Sequence, residues 1–323
     1  MKHKSTSVLI PTYRRGGTVK GCLKSLSSQT VLPDEVIIVW QGSDNETNEI
    51  LQDIKKTFDF DLKVLHLAKP GIVPAENIAL QTSIGEIIFL IDDDAVAPHN
   101  WIETYLLFYQ DDNIGAVGGP VCNHYDYNYP PKSKCKKTAH LSILGHSINC
   151  IFTMPEEMYC LPTEEVDQLA GPNMSFRRDA VDKFNIYLKP YWYEFELEAC
   201  FQVKNKKLKV MFDYSCVVDH YPQRRKTLTT KNKRPDDKLI QIYNPAYNHS
   251  LVISQHGTSI QRYLGLIYDL LIGTRTFPGL VGSMAGMLKY KNISDELVIL
   301  FNVIKSRILG WMKGSELRKS QID

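Results

Sequence analysis

The chain lacks the features that mark the commoner nucleotide enzymes. It has no Gly-x-Gly-x-x-Gly turn and no Gly-x-x-x-x-Gly-Lys loop, which excludes the ordinary dinucleotide and P-loop sites. No apolar stretch reaches the roughly 20 residues of a membrane span. The run Val8-Leu9-Ile10 is too brief for a secretory core. The seven cysteines, at 22, 122, 135, 150, 160, 200 and 216, form no CxxC pair, so neither a disulfide framework nor a zinc finger is expected. Scattered, odd-numbered thiols predict a reducing, cytoplasmic setting. Charge is nearly balanced, with 38 Lys and Arg against 36 Asp and Glu, so the footprint of a nucleic-acid binder is missing and nucleic acid is not an expected partner.

What the chain does have is a core: 43% of its 323 residues are hydrophobic, enough for one large domain or a domain with an appendage. Ser7-Val8-Leu9-Ile10 predicts a first strand, and Pro11-Thr12-Tyr13-Arg14-Arg15-Gly16-Gly17 a loop beyond it. Val19, Leu23 and Leu26 recur at helical spacing over 18–29. Glu35 to Trp40 predicts a second strand, 45–57 a helix, and 62–67 a third strand. Gly71 opens another helix, which Gly85 stops. This alternation predicts βαβ units and a mostly parallel, right-handed wound α/β sheet.

The fourth strand organises the rest. Ile87-Ile88-Phe89-Leu90-Ile91 is a continuous aliphatic run, as expected of a strand buried on both faces, and it ends in Asp92-Asp93-Asp94. In open α/β sheets ligands bind beyond the carboxyl ends of strands. Three adjacent carboxylates repel one another unless a cation neutralises them, and hard oxygen ligands suit Mg²⁺ or Mn²⁺ shared with substrate phosphates. Taken alone, the same residues equally describe a solvated acidic turn.

The order of Ser-Val-Leu-Ile-Pro-Thr-Tyr, a second strand followed by Gly42-Ser43, Gly71 with Asn77, and Phe-Leu-Ile-Asp-Asp-Asp resembles the inverting family 2 glycosyltransferases of the GT-A fold. The resemblance spans about the first 220 residues. It implies a doubly wound, mixed α/β sheet with a C-terminal helical extension. It also implies a nucleotide-diphosphate sugar across the strand ends, its phosphates bridged by Mg or Mn. On this resemblance Asp94 and His220 are metal ligands, and Asp92 and Asp93 lie near the ribose and diphosphate. Pro11, Thr12 and Tyr13 wall the nucleotide pocket, and Gln41 and Asn77 are donor contacts.

This chain departs from the family pattern in places. Trp40 and Gln41 replace acids before Gly-Ser, although Gln41 offers a donor and an acceptor to a uracil or thymine edge. Glu76 stands where many relatives carry Arg, leaving Arg14 or Arg15 to meet the phosphates. Asn173, in Gly171-Pro172-Asn173-Met174, either bonds the sugar or caps its turn. In Trp192-Tyr193-Glu194-Phe195-Glu196-Leu197-Glu198, alignment to the family sets Glu196 as general base, with Glu194 the alternative two residues away. Desolvation by Trp192 and Phe195 would raise the basicity of that carboxylate. Glu198 suits the humbler role of stabilising the helix dipole.

The expected organisation is a catalytic domain over 1–222, divided into a nucleotide-sugar half (1–121) and an acceptor half (122–222). A basic linker (223–245) and an amphipathic helical region (246–323) follow. In the acceptor half, Tyr125, Tyr127 and Tyr129 either stack on sugar rings or pack on their own domain. The basic stretch 223–234 closes over the diphosphate, touches acidic phospholipid, or is solvated. Apolar residues over 260–271, 280–288 and 297–309 predict helices too broken to span a bilayer. With Trp311 and cations at their margins they suit a membrane surface, packing on the catalytic domain or in a dimer being the alternative.

The function expected is that of a metal-dependent inverting glycosyltransferase, cytoplasmic and peripheral on the inner membrane face. It would transfer a sugar to a glycan acceptor carried on a lipid. A nucleotidyltransferase on the same fold, or a catalytically degenerate sugar-nucleotide-binding subunit, is the alternative.

Overall fold

A computed structural model describes residues 4–55, 57–124, 138–148, 151–152, 154–190, 194–222, 238–274, 277–290 and 293–321. Tyr125, Tyr127, Tyr129, Trp192, Tyr193 and the basic segment 223–234 lie outside them. The chain forms two compact units: the first comprises Met1–His140, Ile148–Ile186 and Ala199–Lys226, and the second Leu141–Ser147, Tyr187–Glu198 and Thr227–Asp323.

The alternation read from the sequence is present in β1 (Thr6–Thr12), α1 (Gly16–Ser27), β2 (Glu35–Gln41), α2 (Asn45–Ile54), β3 (Asp61–Leu67), α3 (Ile72–Thr82) and β4 (Ile87–Leu90). Next come β5 (Ala95–Val96), α4 (Trp101–Phe108), β6 (Ile114–Gly118) and β7 (Val121–Asn123). The short ladder β8 (His140–Leu141) and β9 (Ser147–Ile148) precedes a 3₁₀ turn (Glu156–Cys160), β10 (Glu164–Glu165) and β11 (Met174–Arg177). Then follow α5 (Phe195–Asn205), whose first turn counts with the second unit, β12 (Lys209–Phe212) and β13 (Val218–His220).

The main sheet runs β10-β12-β6-β11-β4-β1-β2-β3. β1 pairs parallel with β2 and β4, β2 with β3, and β6 with β12, while β11 lies antiparallel to both β4 and β6, so the sheet is mixed. Every residue of β4 is buried, which is why it reads as an unbroken aliphatic run. Val19, Leu23 and Leu26 of α1 join Ile10, Ile38, Phe89 and Trp101 in one core. Each such side chain contributes about 1.5–3 kcal/mol on leaving water. A second sheet, β5-β13-β7, sits at the carboxyl end of β4 through the chain continuity of Asp92 to Ala95. Gly42 closes β2 with φ +75°, a conformation other residues rarely adopt.

The second unit is helical: α6 (Lys238–His256), a π-helical turn (Ile260–Leu264), α7 (Gly265–Leu271), α8 (Leu280–Tyr290) and α9 (Ile293–Lys319). α6 begins inside the stretch expected to be a linker, and Pro245 is carried within the helix. Where the sequence suggests a helix over 297–309, α9 runs for 27 residues. Gly310 and Gly314 bring α9 onto α6, since a Cβ at either would collide with the carbonyls of Tyr247 and Leu251. The Ser254 hydroxyl donates to Trp311 O (2.7 Å), and Trp311 Nε1 donates to Arg262 O (3.0 Å). Among the described residues no helix is long and apolar enough to cross a membrane.

Candidate active site

Sheet register explains how residues distant in sequence meet at the aspartates. β1 lies beside β4, so the loop beyond it brings Thr12 and Arg15 to the acidic turn. β13 lies antiparallel to β5 with His220 opposite Ala95, and the Tyr221 amide donates to Asp94 O (2.9 Å). His220 Nε2 meets Asp94 Oδ1 at 3.0 Å and Asp92 Oδ2 at 3.5 Å. Its Nδ1 donates to Asn123 Oδ1 (2.6 Å), a partner delivered by the parallel pairing of β13 with β7. That second bond fixes the ring so that Nε2 faces the carboxylates, as a metal-binding imidazole requires. Asn123 was not legible as a site residue, because only the strand pairing reveals it.

Arg15 Nη1 donates to Asp93 Oδ1 (2.9 Å) and Asp94 Oδ2 (2.6 Å), and the Thr12 hydroxyl donates to Asp93 Oδ2 (2.5 Å). Burial works to raise the Asp94 pKa, but the His220 bond and the Arg15 charge outweigh it and hold the carboxyl below its ordinary value. Burial pushes Asp93 up to about 6, an effect Arg15 offsets only in part. His220 is held above the ordinary imidazole value: burial works to lower it, and Asp94 and Asp92 prevail. Three carboxylates thus face one guanidinium and one imidazole, a site with surplus negative charge. One ligand atom from each of Asp92, Asp94 and His220 lies within 4.8 Å of the others. Two hard oxygens and an imidazole in that space fit a divalent cation such as Mn²⁺.

The geometry redirects several expectations. Asp92, assigned to the donor, groups with Asp94 and His220 as a metal-capable side chain. Asp93 and Thr12 are 3% and 1% exposed and bonded to each other, so they brace the acidic turn instead of lining a pocket. Asn77 is not placed as a donor contact: its Nδ2 donates to Phe184 O and its Oδ1 accepts from Phe184 N, both at 2.8 Å, clamping the segment after β11. Asn173 neither bonds a sugar nor caps a turn. It is fully buried; its Oδ1 accepts from Trp101 Nε1 (2.8 Å) and Tyr105 OH (2.6 Å), and its Nδ2 donates to Pro120 O and Cys216 O.

Of the two arginines, Arg15 meets the carboxylates, whereas the Arg14 guanidinium lies over the Tyr13 ring at 5.2 Å. Tyr13 itself packs toward Gly42, and Pro11 sits opposite Val39 in the β1–β2 ladder. Gln41 Oε1 accepts from Gly71 N (2.8 Å), tying the end of β2 to the start of α3. Trp40 stacks on His66 with centroids 3.8 Å apart, an aromatic surface at the ends of β2 and β3.

The second unit carries the glutamates. Glu196 is half-buried in the first turn of α5. Glu194 precedes it with φ +53° and meets His249 Nδ1 with both carboxylate oxygens, at 3.0 and 3.1 Å. Its carboxylate is therefore engaged by an imidazole of the same unit. Glu198 is buried 3.9 Å from His256, whose pKa burial and then Arg318 push down to about 4, so this approach is not an ion pair at neutral pH. Around His249 lie His146 and Asp269, whose Oδ1 accepts from His146 Nε2 (2.9 Å) and faces Arg307 Nη2 (3.4 Å).

The mixed central sheet with flanking helices and an acidic turn at its carboxyl end is that of the GT-A fold. A crystal structure of GalNAc-T7 with UDP, GalNAc and Mn²⁺ has this fold, with a TM-score of 0.64 at 13% identity, covering 92% of this chain and 56% of that one. The model of glycosyl transferase family 2 matches residues 7–184, and the chain belongs to that family. Among its relatives, the O-antigen chain rhamnosyltransferase RfbN of Salmonella typhimurium is 28% identical over 151 residues, 43% of this chain and 47% of that protein. A glucosyl-dolichyl phosphate glucuronosyltransferase of Haloferax volcanii is 29% identical over 188 residues, 54% of this chain and 52% of that protein. The match thus spans about half the length of these relatives.

Proposed function

We infer that the protein is a metal-dependent inverting glycosyltransferase that moves a sugar from a nucleotide-diphosphate donor to a glycan acceptor carried on a lipid. The observation that carries this reading is the convergence of Asp92, Asp94 and His220 at the end of β4, beside a surplus of negative charge. These three residues would hold Mg²⁺ or Mn²⁺. The cation supplies Lewis-acid neutralisation of charge building on the departing diphosphate. Thr12 and Arg15 hold Asp93 and Asp94 in place. Pro11, Tyr13 and Gln41, at the carboxyl ends of β1 and β2, bound the nucleotide, and the stacked Trp40 and His66 offer an apolar face beside them.

In the transfer itself, Glu196 accepts the proton of the acceptor hydroxyl as its oxygen bonds to the anomeric carbon. The bond from that carbon to the diphosphate oxygen breaks on the opposite face, inverting the centre, and the electron pair leaves with the nucleoside diphosphate. The family shared with RfbN and with an enzyme named for a dolichyl phosphate substrate supports a glycan acceptor on a lipid. Exposed Leu297, Phe301, Ile308 and Met312 recur at helical spacing along α9, which supports contact with a membrane surface.

The test is a panel of UDP-, GDP- and dTDP-sugars with Mn²⁺, assayed for slow release of nucleoside diphosphate. Wild type should hydrolyse one donor and Asp94→Ala none. Hydrolysis of no donor by wild type, or equal hydrolysis by both proteins, contradicts the reading.

A further inference from the structure

The turn that carries Glu196 is held from one side by a buried charge network that the transfer chemistry does not itself use. Glu194 adopts a left-handed backbone conformation (φ +53°) that non-glycine residues avoid unless their surroundings enforce it. Its carbonyl accepts from Glu198 N (3.0 Å), so Glu194 opens the first turn of α5. Its side chain is fixed by His249 Nδ1 on both oxygens. His249 belongs to α6 and is surrounded by groups from each neighbouring element: His146 in the 141–147 segment with ring centroids 5.8 Å apart, Asp269 of α7, and Arg307 of α9. Arg307 is 3% exposed and donates to the carbonyls of Asp269 and Phe277, so the far end of the network is anchored in the helices. Asp269 already takes His146 and Arg307, and Glu194 takes His249, so acids and bases in this cluster pair off.

We propose that His249 is a positioning residue for the general base: by gripping Glu194 it holds the strained turn that aims the Glu196 carboxylate. This rests on the reading of Glu196 as the base. The grip acts on geometry at the reacting centre and touches no donor group, so its loss should lower kcat and leave the donor KM alone.

The experiment measures Mn²⁺-dependent hydrolysis of the donor found by the nucleotide-sugar panel, with kcat and KM for wild type, His249→Leu, His249→Asn, Glu194→Gln and Glu196→Gln. Melting temperatures confirm folding. Leu fills the site without a donor, whereas Asn keeps an N–H near the position of Nδ1. His249→Leu should lose at least about tenfold in kcat with KM within about twofold, and His249→Asn should recover most of the rate. Glu194→Gln combined with His249→Leu should be no worse than His249→Leu alone.

Wild-type kcat in His249→Leu, or a loss that merely tracks unfolding in both His249→Leu and Glu194→Gln, overturns the proposal. Better activity in the Leu than in the Asn variant, the pattern of a packing role, does so too. Full activity in Glu196→Gln overturns the base assignment itself, an outcome distinguishable from failure of the grip.

Discussion

At the end of β4 three carboxylates meet one guanidinium and one imidazole, whereas in the second unit Glu194 and Asp269 meet His249, His146 and Arg307. The first cluster has negative charge left over, which a cation would offset. The second cluster satisfies itself, so its work is to hold geometry. An amide clamp recurs in both units: Asn77 grips Phe184 in the first, and Asn248 grips the backbone of Lys189 at 2.8 Å in both directions in the second. Such clamps fix loops without spending a charged side chain.

Removing the surplus should have the largest effect. Asp94→Asn should reduce donor hydrolysis by about 10³-fold, and Glu196→Gln should reduce transfer by about 10²-fold or more while retaining nucleotide binding. Steady-state kinetics with Mn²⁺ present checks both. Equal, small losses in the two variants would erase the contrast between a binding acid and a proton-accepting one.

Breaking the buried hub of the first unit tests structure apart from chemistry. Asn173→Ala removes four buried hydrogen bonds at once, those from Trp101 Nε1 and the Tyr105 hydroxyl and those to Pro120 O and Cys216 O. It should cost about 3 kcal/mol, read by urea unfolding. A change under about 0.5 kcal/mol would show that water replaces the amide freely.

Acid should separate the units. His256 has a folded pKa of about 4 against an ordinary 6.5, so the unfolded chain binds its proton first. Its contribution is whole above pH 6.5, declines as pH falls and is gone below about 4, a loss of about 3 kcal/mol from the second unit. In the first unit, burial works to raise Glu35, but bonds from Lys63, Ser7 and the Ile84 amide hold it below 4.5. That stability is present above 4.5 and is lost only as pH falls through the lowered value. Hydrogen-exchange protection factors, which correct for the slower intrinsic exchange in acid, should therefore fall in α6 and α9 first between pH 7 and pH 5, and His256→Leu should flatten the difference. Unchanged pH dependence in that variant would assign the effect elsewhere.

The smallest effect is expected at the exposed face of α9. Leu297→Ser with Phe301→Ser should lower binding to anionic lipid vesicles by about three- to tenfold and leave donor hydrolysis unchanged. Undiminished sedimentation with vesicles would remove α9 as the contact.

The same contrast explains what was legible in the sequence. β1, β2 and β4 announce themselves because strands buried on both faces must be aliphatic and turns must be polar, and Asp92, Asp93 and Asp94 stand where such a strand ends. Their finer roles are set by partners: nothing local in Thr12, Asn77 or Asn173 says whether its polar group meets a ligand, Asp93, or the backbone of Phe184. The His146, His249 and Asp269 cluster is assembled from three separate segments, so no spacing within the chain could reveal it.

The central claim is that Asp92, Asp94 and His220 take up a divalent cation together with the donor's diphosphate. Calorimetric titration of UDP, GDP and dTDP into wild type and Asp94→Asn, each with Mn²⁺ and again with EDTA, tests it directly. One nucleotide should bind wild type with Mn²⁺ and weaken at least about tenfold in EDTA, with no Mn²⁺ dependence left in Asp94→Asn. Equal affinity in Mn²⁺ and EDTA, or a Mn²⁺ dependence that survives in the variant, would contradict it.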